Sequence, residues 1–105
     1  MKIIKEIIAK MDDTLEEIEY YGKEAHHLRN EHKAIADKFI EIADVHINVY
    51  NTLHKGVVML IEEERKKGVE VPKEMQIIWD YEHKKLIEEF NEAKFLVDEY
   101  KKLGY

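Results

Sequence analysis

The chain has 105 residues, the length of one domain or one subunit. Charged side chains make up 38% of it, beside four glycines and one proline, a profile that suits long amphipathic helices and argues against a sheet protein. The net charge is −6 with lysines and acids interspersed, so no cationic cluster invites nucleic acid, and the absence of cysteine removes disulfides and thiolate metal sites.

The first residues, Met1-Lys2-Ile3-Ile4-Lys5-Glu6, lack the continuous apolar segment of a signal peptide. From there Ile4, Ile8, Met11, Leu15, Ile18, Gly22 and Ala25 recur at helical spacing, which predicts a first helix over about 3–28 with one apolar stripe. A weak break follows at His26–Glu31, where Asn30 is the residue suited to a left-handed turn.

The second predicted helix covers about 31–67. Its stripe is read as Phe39, Ile42, His46, Val49, Leu53, Gly56 and Leu60, flanked by Ala36, Ala43, Tyr50 and Val57. Ile40, Ile47 and Ile61 widen the apolar arc further, and a wide arc serves two neighbours, so this helix is expected to be the middle and most buried one. Its charge-free stretch, Val45 to His54, is far shorter than the roughly 20 residues of a membrane span, and a soluble, cytoplasmic protein is expected.

Gly68-Val69-Glu70-Val71-Pro72 is the strongest punctuation. Glycine after Lys66 and Lys67 makes a helix stop, and Pro72 suits the first turn of the next helix, with Glu74 close behind. A third helix over about 72–103 carries Trp79, His83, Leu86, Phe90, Ala93, Val97 and Tyr100 on its stripe. Short connections make successive helices antiparallel. The predicted register places Gly22 opposite Phe39, His46 between Leu15 and Ala93, and His83 opposite Gly56, where a larger side chain would overpack. The fold class is therefore all-α, an antiparallel up-down-up three-helix bundle spanning 1–105 as a single helical domain and completed by oligomerisation.

Six histidines are the only reactive candidates, since the chain also has no serine, no glycine-rich phosphate loop and no His-Glu-x-x-His. His26, His27 and His32 are expected as solvated residues around the first turn. His46 and His83 lie on core stripes, where a ring must find partners; Asp80, three residues before His83, can orient it, and Asn48, Asn51, Thr52 and His54 suggest a polar network nearby. If a metal bound, the candidate ligands would be Glu19, His46, Asp80 and His83. No metal and no cofactor is expected, because His46 and His83 sit at levels on the order of 15 Å apart along helix two. Tyr20, Ile77, Ile78 and Phe95 fall off the stripes and are candidates for a subunit interface.

The segment Leu53–Arg65, with Pro72-Lys73-Glu74-Met75 and Trp79-Asp80-Tyr81-Glu82-His83, resembles a family of small helical proteins from phage and bacterial genomes, and the resemblance implies a fold alone. A looser likeness is to ferritin-like bundles, which pair a Glu on one helix with Glu-x-x-His on the next. Glu17 or Glu19 matches the first position, but helix two offers Ala43-Asp44-Val45-His46 and Asn51-Thr52-Leu53-His54 in place of Glu-x-x-His. The expected role is a structural or protein-interaction bundle of phage type with no catalytic residues, partnered by itself and by another protein but not by nucleic acid or membrane. The alternative is a ferritin-like metal-binding protein with an unusual ligand set.

Overall fold

A computed structural model of the protein describes residues 2–68 and 73–104. They form three helices: α1 (Lys2–Leu28), α2 (Lys33–Lys66) and α3 (Lys73–Lys102). Among the described residues, no helix is long and apolar enough to cross a membrane.

The breaks follow local chemistry. After α1, the His32 amide donates to the Leu28 carbonyl at 2.7 Å, and the His32 carbonyl accepts from Ala36 at 2.9 Å. His32 thereby occupies the N-cap of α2 without lending it a side-chain cap, and the helix starts two residues later than the expected 31. Asn30 does not take the left-handed conformation expected of it, since no described residue other than glycine has a positive φ. Backbone bonds close this turn in ordinary geometry. At the other end of α2 the glycine reading holds. Gly68 has φ +73, its amide reaches the Arg65 carbonyl at 3.1 Å, and Arg65 and Lys66 lie in the last turn, where cations complement the helix dipole. Pro72 lies outside the described residues, as does the side chain of Glu74.

The stripes of α1 and α3 match the apolar spacing. Ile4, Met11, Leu15, Ile18, Gly22 and Ala25 of α1 are buried, as are Leu86, Ala93, Val97 and Tyr100 of α3, with Ile8, Trp79 and Phe90 packed partly against them. Thr14 joins the buried face because its hydroxyl is satisfied by the Lys10 carbonyl at 2.7 Å. On α2 the buried line is Ala36, Ile40, Ala43, Ile47, Tyr50 and Val57. The expected line of Phe39, Ile42, His46, Leu53, Gly56 and Leu60 is only half-buried, and Val49 is exposed. The helix is thus rotated by about one residue, roughly 100°. Its arc was wide enough to centre on either line, and the alanines at 36 and 43 let a neighbouring backbone come closer than Phe39 and His46 would.

That neighbour is α1. It runs close to both other helices, whereas α2 and α3 come near each other along little of their backbone. The central helix is therefore α1, not α2. Side-chain size accounts for this. A Cβ built on Gly22 would sit 3.4 Å from the Leu96 Cβ and 3.7 Å from Val97 Cγ2, so glycine admits α3 here instead of facing Phe39. Phe39 packs edge-on against Tyr21 at 5.3 Å. The α2–α3 seam is spanned by rings, which hold the two backbones apart. Tyr50 stacks on Phe90 with centroids 4.3 Å apart and planes within 7°. Gly56, expected against α3, has open space around it: a Cβ there meets nothing within 4 Å. The whole is a rod of 56 × 20 × 19 Å.

Candidate functional site

The α2–α3 seam holds the most concentrated chemistry in the molecule. His54 follows Tyr50 by one turn of α2, and His83 precedes Leu86 by one turn of α3, so both rings enter the seam beside the core. Their Nε2 atoms are 2.8 Å apart, and the rings lie nearly parallel, 14° between planes and 4.9 Å between centroids. Trp79, one turn before His83, stacks on the His83 ring at 4.7 Å and 13°. A contact of this length between two imidazole nitrogens requires one to donate and the other to accept, so at least one ring is neutral. Both rings are half-buried. Burial holds the His54 imidazole below its ordinary pKa, and charge on His83 acts in the same direction.

The expected metal candidates do not converge. Glu19 is half-exposed and paired with Lys23 at 2.6 Å, on a groove between α1 and α3. His46 is half-buried, not inside the bundle as expected. Its Nδ1 donates to the Ile42 carbonyl at 2.9 Å, and its ring lies 5.9 Å from Tyr21. Leu15 and Ala93, its expected neighbours, instead line the α1–α3 groove. Asp80 is exposed, and among the described residues no hydrogen bond joins it to His83, which bonds to His54. Among the described residues no group of three or more His, Cys, Asp or Glu is placed to share a metal.

A second polar cluster joins the three helices near the α1–α2 turn. The His26 Nε2 donates to the Leu96 carbonyl at 2.8 Å, the Arg29 guanidinium donates to the Leu103 carbonyl and lies over the Tyr100 ring, and the Tyr100 hydroxyl donates to Asp37 at 2.7 Å. His26 is therefore a tie between helices and not the solvated turn residue expected. His27 and His32 are exposed, as read from their place at the turn. The available signal for His26 was its position directly after Ala25, at the edge of the buried stripe.

Three of the four interface candidates are exposed: Tyr20 at 54%, Ile77 at 60% and Phe95 at 61%. The side chain of Ile78 lies outside the described residues. A longer uncharged surface lies on α2, outside the interface candidates: Val45, Val49 and Met59 are exposed, and a shallow depression of about 340 Å³ is lined by Val45, Asn48, Val49, Thr52 and Leu53. Its signal was the charge-free run from Val45 to His54. The α1–α3 groove has the opposite character. It measures about 610 Å³, with Leu15, Ala93 and Leu96 beneath five acidic residues and two lysines.

Comparisons with protein-family models, with curated proteins and with solved structures find no match to this chain.

Proposed function

We propose that this protein is a structural and protein-interaction module: an antiparallel up-down-up three-helix bundle, of the phage type its resemblance suggests, that acts by associating with a second copy of itself. Support for the antiparallel order comes from paired residues. Tyr50 stacks on Phe90 while Asp37 bonds to Tyr100, so numbers fall along α3 as they rise along α2.

The observation that carries the association is the outer face of α2. Val45, Asn48, Val49, Thr52, Gly56 and Met59 lie on one helical face with no charge among them, in a chain where 38% of residues are charged. From Val45 to Met59 that face runs on the order of 20 Å. Thr52 and the uncrowded Gly56 give it a shallow centre into which a partner helix can settle. Water against the exposed Val45, Val49 and Met59 side chains is costly, and a copy of the same uncharged face relieves it on both sides.

Sedimentation equilibrium at micromolar protein tests this reading. The expected result is a dimer or higher oligomer that Val45→Glu converts to monomer with helical content unchanged. If Phe95→Glu dissociates it and Val45→Glu does not, the interface lies instead with the Tyr20, Ile77 and Phe95 surfaces. A monomeric wild type overturns the proposal.

A further inference from the structure

We infer that His54 and His83 form a two-imidazole binding site for a divalent late transition-metal ion, completed by water. Of the ligands expected from the sequence, Glu19, His46, Asp80 and His83, only His83 takes part; the geometry pairs it with His54 of a second helix. Both Nε2 atoms point at one another across 2.8 Å, so the two ring edges that carry metal-binding lone pairs already face a common point. Metal–imidazole bonds of about 2.0–2.1 Å put two ligand nitrogens roughly 3 Å apart at the 90° angle of nickel and copper sites and roughly 3.3 Å apart at the tetrahedral angle of zinc. Opening the pair by at most about half an ångström is a small motion of two half-buried side chains in their present rotamers.

Three further features suit an ion here. The stack of Trp79 on His83 fixes the plane of the ring and keeps its Nε2 turned toward His54, as outer partners orient ligands in metal sites. The half-burial of both histidines leaves the remaining coordination positions open to solvent. The protein carries a net charge of −6, which favours approach of a cation. Imidazole ligands select zinc, nickel and copper over magnesium and calcium, which prefer oxygen. In the free protein one ring holds its proton on Nε2. On binding, that proton moves through water to Nδ1 of the same ring, both Nε2 lone pairs face the ion, and a neutral pair releases no net proton.

Trp79 is the only tryptophan in the chain and stacks on one ligand, so it reports occupancy directly. The test titrates the full chain with nickel chloride while following tryptophan emission, with helical content checked by circular dichroism. Saturable quenching at one ion per chain is expected, reversed by EDTA, lost in His54→Gln and in His83→Gln, and retained in His27→Gln and His46→Gln. Absence of saturable quenching in the wild type overturns the site. So does quenching that survives in a folded His54→Gln protein. If His83→Gln fails to fold, His54→Gln decides alone, since it leaves the Trp79–His83 stack in place.

Discussion

Tyr100 of α3 donates a 2.7 Å hydrogen bond to Asp37 of α2, a polar link that joins the two helices with the least backbone contact, beside the Lys101–Asp44 bond at 2.8 Å and the His54–His83 bond. The Tyr100 bond, followed by the Lys33 ammonium at 2.9 Å, holds the Asp37 carboxyl below its ordinary pKa of 3.8. A depressed folded-state pKa contributes stability above the unfolded value and loses it as pH falls through the folded one. Tyr100→Phe is therefore expected to melt below the wild type at pH 5–7, with the gap closing as pH drops below 3.8. Thermal melts of both proteins across pH 2–7 check this; a gap independent of pH would assign the loss to packing alone.

Tyr50 presents the opposite case. Its ring is buried on Phe90, but among the described residues its hydroxyl has no hydrogen-bond partner. Burial, and then the charge of Glu89, pushes its pKa up to about 12. A buried hydroxyl left unpaired costs about 1–3 kcal/mol, so Tyr50→Phe should stabilise the protein by about 1 kcal/mol. Urea denaturation measures it, and a loss of stability would mean the hydroxyl is satisfied in solution.

His54 makes stability sensitive to mild acid. With its folded-state pKa below the ordinary 6.5, the unfolded chain takes up the proton first, so stability falls as pH drops below 6.5 and levels off once the folded pKa is passed. A protonated pair also places two cations against each other. The melting temperature should decline between pH 7 and pH 5, and His54→Gln should flatten that decline. An equal slope in the variant would place the titration elsewhere.

Gly56 lies inside α2 with free space where a side chain would begin. Gly56→Ala should raise stability by about 0.5–1 kcal/mol through lower unfolded-state entropy, where the sequence alone suggested overpacking against α3. Chemical denaturation at a protein concentration too low for association isolates the effect.

The helices and the stripes of α1 and α3 were legible because their apolar residues recur at one phase, and the stop at Gly68 because glycine there has a single structural use. The phase of α2 was not. Apolar residues at 39, 40, 42, 43, 47, 49 and 50 fit two adjacent lines, and the choice fell to which line had alanines for α1 to rest against. That rotation of about 100° carried His46 to the flank and brought His54 into the seam. The pairing of His54 with His83 depends on a register finer than one turn, and spacing within a single helix contains no information about it. The exposed face of α2 is visible in the sequence as a run without charge, but which side of that run faces solvent depends on the phase of the helix.

The central position of α1 also orders events in time. Its contacts with α2 close across a connection of four residues, which costs little chain entropy, while its hydrogen bond to α3 joins His26 and Leu96, 70 residues apart, and the Arg29–Leu103 bond just beyond the two helix ends spans 74. The α1–α2 hairpin is thus the unit able to form first, and α3 arrives on a surface already made. Until then Gly22 faces water, and the last helix to dock is the one that covers it with Leu96 and Val97.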